Sequence, residues 1–274
     1  MTDAAVREYR RGRLSRLALG VLEKRGVRHG FTLRYGGVSR GAFASLNFTS
    51  RQGDDPERVR ENWRRLEAAA ALPSRRWALV SQVHGAEVVR DGAARPACHH
   101  RLECPPADAL VTSLGGVTLG ILTADCLPVI LASADGAAAG VVHAGWKGTL
   151  EGVAVKALAS LGGGDAAGAA AGLGPAIGAC CYQVGDEVYG AFRDKWGADY
   201  VRKVFKRSQP WRLDLQKANA VQLLEAGLKP ENMAAVPLCT CCRKDLFFSH
   251  RREGERTGRM LAYAGVSSPG SASG

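Results

Sequence analysis

The sequence predicts an α/β protein in which mixed β-sheets are layered and flanked by helices. Seven short runs rich in Val, Ile and Leu, at 77–83, 108–112, 117–123, 127–132, 138–143, 169–173 and 234–238, have the length and side-chain type of strands. Four helical segments lie among them without strict alternation, which argues for mixed or paired sheets over a simple parallel array. The 274 residues are 46% apolar, enough for a substantial core.

The first helix is expected over 54–73, "DDPERVRENWRRLEAAAALP". Asp54 or Asp55 can cap it, Pro56 suits the first turn, Val59, Trp63 and Leu66 share a face, and Pro73 stops it. A second is expected in "GTLEGVAVKALASLGGG", with Thr149 as cap, Leu150, Val153, Ala157, Leu158 and Leu161 at helical spacing, and glycines beyond. It should pack behind the strand that ends at His143. Two more are expected over 186–196 and 214–226, the latter closed by Gly227 and Pro230. The run 161–174 is low in complexity and reads as a flexible connection into a strand. With no linker or repeat to divide it, 1–266 is expected to be one domain, followed by a disordered tail at 267–274.

Composition narrows the function classes. The longest apolar region, 114–132, is interrupted by Thr118, Thr123 and Asp125, so no spanning helix and no membrane partner are expected. The N-terminus carries Arg7, Arg10, Arg11, Arg13 and Arg16 and lacks the apolar segment of a secretory signal, which points to the cytoplasm. The net charge of +11 comes mainly from 28 Arg against 9 Lys, concentrated at the two ends without interleaved aromatics. That pattern gives nucleic acid little support, although a positive field suits an anionic substrate such as phosphate. Eight cysteines without a signal segment read as thiols or metal ligands, not a disulfide framework. Cys180-Cys181 and Cys239-Thr240-Cys241-Cys242 are taken as small buried packing residues, with combination across the fold as the alternative.

Three segments share one grammar: an apolar run ends in a metal-binding side chain and then turns through Gly or Pro. They are "ALVSQVHGAEVV" with His84, "LGILTADCLPVIL" with Cys126 and "AAGVVHAGWKGT" with His143. A thiolate and two imidazoles suit zinc with an open fourth position, and the same set takes copper. Taken alone, such a histidine is usually a satisfied core residue and such a cysteine usually inert.

"SQVHG", "TADCLPV", "HAGWKGT", "GPAIG" and "FFSHRREGERTGR", with "TLRYGGVSRGAFASLNF" upstream, resemble the successive signatures of the laccase-domain family, described as polyphenol oxidases, purine nucleoside phosphorylases and peptidoglycan editing factors. The resemblance runs from about Phe31 to Met260. It implies a laccase-domain, cysteine-hydrolase-like fold and a zinc ion held by His84, Cys126 and His143. It further implies phosphorolysis of the purine nucleosides adenosine, inosine and methylthioadenosine, with deamination of adenosine as a side activity.

Phosphorolysis needs a phosphate oriented beneath the anomeric carbon of a sugar with oxocarbenium character. Arg34, Arg251 and Arg252 are candidate phosphate clamps, because a planar guanidinium matches phosphate oxygens. Asp125 is a candidate to shuttle a proton or hold an imidazole in its binding tautomer, and Asn47 to contact ribose. His250 stands where the family more often has tyrosine and is given no ligand role. Cys98, His99, His100 and Cys104 lie in an apparent insertion read as a loop.

Other readings compete. Six histidines without a His-x-His pair argue against a multicopper oxidase, leaving copper-dependent polyphenol oxidation as a minor activity. Metal-free hydrolysis with Cys126 as nucleophile and His143 or His84 as base is a second class. Removal of L-Ser from UDP-MurNAc-L-Ser during cell-wall precursor editing fits either that chemistry or zinc. A basic nucleic-acid-binding module is a third.

Overall fold

The computed structural model describes residues 6–70, 76–90, 104–162 and 165–266. The expected tail at 267–274, Pro73 and the Cys98-His99-His100 segment lie outside these residues. The chain opens with β1 (Val6–Arg11), β2 (Leu14–Leu19), a single turn α1 (Gly20–Glu23) and β3 (Arg28–Thr32). Next come α2 (Pro56–Ala70), β4 (Arg76–Ala78), β5 (Val88–Arg90), β6 (Ala109–Thr112), β7 (Val117–Thr123), β8 (Leu127–Ala132) and β9 (Ala139–Ala144). Helices α3 (Trp146–Leu150) and α4 (Val153–Ser160) lead to β10 (Ala170–Leu173), β11 (Gln183–Val184), α5 (Asp186–Val204), β12 (Phe205–Lys206) and β13 (Trp211–Leu213). The chain ends through α6 (Leu215–Glu225), β14 (Met233–Ala235), α7 (His250–Glu253) and β15 (Met260–Gly265).

Two six-stranded mixed sheets, ordered β1-β2-β3-β15-β7-β4 and β14-β10-β8-β9-β6-β5, pack against each other, with a small ribbon β11-β13-β12 beside them. Leu19, Phe31, Ile121 and Ala262 of the first sheet meet Leu110, Ile130 and Val141 of the second in one core. Helix α2 covers the outer face of the first sheet, where Trp77 contacts Trp63 and Tyr263 edge-on at centroid distances of 4.9 and 6.0 Å. Helices α4, α5 and α6 cover the outer face of the second through Val153, Leu158, Phe192 and Leu223 against Leu127, Val129 and Val142. The central strands are therefore buried on both faces and read as unbroken apolar runs. No helix of the described residues is long and apolar enough to cross a membrane.

Several boundaries differ from expectation. The run 77–83 leaves the sheet after Ala78, because Ser81 and Gln82 make their contacts outside the ladder. The helix expected from Thr149 is two helices broken at Gly152, which takes φ 71°, a conformation cheap only for glycine. Thr149 is not a cap: it is buried inside α3 and its hydroxyl accepts from Asn219. Helix α5 continues past 196 through a kink at Gly197 to Val204. The cap of α2 is Asp55, whose carboxylate accepts the Glu57 N–H.

Candidate metal centre

Strand register brings Cys126 and His143 together. In the antiparallel pair of β8 and β9, Leu127 faces Ala144 and Pro128 faces His143, so Cys126, one residue before β8, lies opposite Gly145 at the sheet end. Strand β6 pairs with β9 from the other side, and Asp108, one residue before it, accepts the His143 backbone N–H at 2.7 Å. Strand β5 runs parallel to β6, so the loop 82–87 that precedes it reaches the same end.

That loop is fixed at both sides. The Gln82 amide pairs in both directions with the Leu122 backbone at 2.8 Å. The Asp108 carboxylate accepts the N–H groups of Val83, His84 and Gly85 at 3.2, 3.0 and 2.6 Å. His84 adopts φ 60° and Asp125 φ 91°, the non-glycine residues with positive φ among the described ones, and both adjoin the centre. Backbone strain of this kind persists where the surroundings over-determine it.

The donor atoms of His84, Cys126 and His143 all lie within 4.8 Å of one another, and the two rings meet edge-on at 4.9 Å and 82°. His143 is buried, Cys126 half-buried and His84 exposed, so the cluster opens to solvent on one side. His143 Nδ1 donates to Asp108 at 2.8 Å, which fixes the tautomer and leaves Nε2 for the centre. Burial pushes the Cys126 thiol up, but the charge and hydrogen bonds of His143 and His84 outweigh it and bring the group down to about 6. Burial likewise lowers His143, while the Cys126 sulfur and Asp108 raise it to about 9. Gly145 closes the back: a Cβ there would stand 3.1 Å from the Cys126 sulfur and 3.4 Å from His84 Cδ2.

The other candidates have different neighbours. Asp125 does not reach an imidazole; its carboxylate accepts from Thr240 Oγ1, Ser249 Oγ and the Arg251 N–H at 2.6, 3.0 and 2.7 Å. The orienting role expected of it is filled by Asp108, which the sequence reading did not single out. Asn47 is fully buried and bonded to Thr49, Asp54 and the Arg259 N–H. Arg34 donates through Nε to the Ala44 carbonyl and through Nη1 to the Lys244 and Phe247 carbonyls and Glu253, while its Nη2 is committed to no described residue. Arg252 is likewise held by the Thr240, Cys241 and Phe247 carbonyls and Glu253. Arg251 lies over the Tyr182 ring at 5.3 Å and donates to the Cys181 and Gln183 carbonyls. His250 is exposed at the start of α7.

Two further residues lie within electrostatic range of Cys126. Tyr182 and Arg259 both feel its charge: burial raises the tyrosine further than that charge does, and lowers the arginine, which Cys126 and Asp125 partly restore. Arg259 Nη1 donates to the Thr257 and Gly258 carbonyls, and its Nη2 is committed to no described residue. Arg259 closes the segment "FFSHRREGERTGR", in which only Arg251 and Arg252 were singled out from the sequence.

Fold and site together define a layered α/β protein with a His-Cys-His centre at one end of its inner sheet. The chain belongs to the multi-copper polyphenol oxidoreductase laccase family, whose model matches residues 28–267. It is 37% identical over 253 residues to the purine nucleoside phosphorylase YlmD of Geobacillus stearothermophilus, covering 86% of this chain and 89% of that protein. It is 40% identical to a purine nucleoside phosphorylase of Xylella fastidiosa, with 86% and 90% covered. The crystal structure of YlmD from Geobacillus stearothermophilus superimposes with a TM-score of 0.84 at 33% identity, over 96% of this chain and all of that one (100%).

Proposed function

We propose that this protein is a metal-dependent purine nucleoside phosphorylase, converting adenosine, inosine or methylthioadenosine and phosphate into free base and ribose 1-phosphate in the cytoplasm. The observation that carries the reading is the gathering of His84, Cys126 and His143 around one point, braced by Asp108. The names of the relatives point the same way.

The residues fit a metal. One thiolate and two imidazoles, one of them locked in tautomer, form a three-ligand set that is open on the His84 side. A bound zinc or copper ion would supply a positive, Lewis-acidic point there, and with zinc an activated water suited to deaminating adenosine. The chain's own groups do the rest. Arg259 and Arg34 each offer phosphate a guanidinium with an uncommitted Nη2, whereas both terminal nitrogens of Arg252 are held by carbonyls and Glu253. A phosphate oxygen attacks the anomeric carbon, the bond from that carbon to the purine nitrogen breaks, and its electrons leave with the base. Asp125 holds the wall of Thr240, Ser249 and Arg251 in place through its carboxylate.

Phenol oxidation is less favoured, because among the described residues only one potential ligand group contains imidazoles. The test is base release from adenosine with and without inorganic phosphate, with ribose 1-phosphate as the diagnostic product. Equal rates in both would overturn phosphorolysis. Full activity after exhaustive chelation would instead move the chemistry to the Cys126 sulfur acting as a nucleophile.

A further inference from the structure

The fold assembles a second thiol cluster from two distant segments. Cys180 and Cys181 follow the loop after β10, and Cys239 and Cys242 lie beyond β14. The parallel pairing of β10 with β14, continued by the bridge between Ala176 and Cys239, brings the two segments side by side. Their four sulfurs all lie within 4.8 Å of one another, with Cys242 Sγ 3.5 Å from Cys180 Sγ and 3.4 Å from Cys181 Sγ. All four are free thiols, and Cys180 and Cys242 are exposed. Cys239 and Cys242 have the C-x-x-C spacing of a structural zinc ligand pair, so the reading of these residues as separate buried packing side chains does not hold.

We propose that Cys180, Cys181, Cys239 and Cys242 form a second metal site, a four-thiolate clasp for a thiophilic divalent ion such as zinc. Tetrahedral coordination with metal–sulfur bonds of about 2.3 Å spaces the sulfurs about 3.8 Å apart, so the observed cluster needs only small rotamer changes to close on an ion. The surroundings suit the charge. Backbone N–H groups of Gly178 and Cys242 point at the Cys239 sulfur, the first at 3.2 Å. Guanidinium groups sit against the carbonyls of the same segments: Arg212 on Cys180, Arg251 on Cys181, and Arg252 on Thr240 and Cys241. Four thiolates and a divalent ion leave a net negative charge, which these three cations offset. Two of them, Arg251 and Arg252, are residues that the sequence had suggested for phosphate.

The clasp also borders the first centre. Thr240, between two of its cysteines, donates to Asp125 beside Cys126, and Tyr182 adjoins Cys181. A closed clasp would hold that wall at a fixed distance from the His-Cys-His cluster. The proposal does not depend on which reaction the first centre runs.

Metal analysis of the full chain, purified reduced and loaded with zinc, tests it. The wild type is expected to retain about two zinc ions per chain, and both Cys126→Ala and the double variant Cys180→Ser/Cys242→Ser about one. Cobalt loaded into Cys126→Ala should show the intense sulfur-to-metal charge-transfer absorption of a four-thiolate site. Cys241→Ser, outside the four, should leave both readouts unchanged. Should the double variant fail to fold, zinc content and cobalt absorption of Cys126→Ala alone decide the matter. No zinc retained by reduced Cys126→Ala, or cobalt absorption without thiolate bands, overturns the proposal, as does finding the four cysteines paired as disulfides that take up no metal after reduction.

Discussion

Four donors converge on the Asp108 carboxylate: the N–H groups of Val83, His84 and Gly85 and the Nδ1–H of His143. One buried acid thus sets both the loop of one ligand and the ring of another. Asp108→Asn puts an amide nitrogen against these donors and is expected to weaken metal binding about 10–100-fold, read by competition with a chromophoric chelator. Unchanged affinity would show that the ligands hold their geometry unaided. Gly145→Ala acts by crowding, since its methyl would press on the Cys126 sulfur at 3.1 Å and on His84 at 3.4 Å. Metal occupancy should fall while circular dichroism stays native; full occupancy would mean the neighbours move aside. The three ligands were legible because each ends an apolar run at a turn, which is a local pattern. Asp108 opens its run in the same local way, yet nothing in the sequence shows that four donors meet there.

Strands that the sequence concealed are those whose side chains are not bulky and branched. Strand β1, VREYRR, is exposed along its whole length, an arginine-rich edge that resists pairing with another chain. Strand β15, MLAYAG, is wholly buried yet carries no β-branched residue, with small Ala262 and Ala264 facing the second sheet and Leu261 and Tyr263 facing the α2 side. Beside it, β3 carries His29, buried with Nδ1 bonded to the Val27 carbonyl and Nε2 accepting the Leu19 N–H at 2.9 Å. Burial lowers its pKa below 6.5, so as pH falls through that value the unfolded chain takes up a proton that the folded one refuses. Stability should therefore be full above about pH 6.5 and decline below it, by at most about 1.4 kcal/mol per pH unit. Urea midpoints of wild type and His29→Gln across this range should converge toward acid. Parallel curves would remove His29 from the account.

The two sheets and their covering helices make a stack in which β8 is central, with alternate side chains serving different cores. Leu127, Val129 and Leu131 face the helices, whereas Ile130 faces the first sheet. Ile130→Ala would leave a hole between the sheets and is expected to cost about 2–5 kcal/mol in denaturant unfolding. A loss under about 1 kcal/mol would mean that the sheets close over the gap.

By itself the sequence determined the buried strands β7 and β8, the amphipathic helix α2 and the three residues of the His-Cys-His centre, because all of these are written in neighbouring residues. Only the tertiary structure decided that Asp108, not Asp125, orients the imidazole, that both terminal nitrogens of Arg252 are held by carbonyls and Glu253, and that four cysteines from two segments share one point. The physical reason is that hydrogen-bond partners and ligand sets are chosen by strand register and by which sheet ends meet, and these couple residues far apart in the chain.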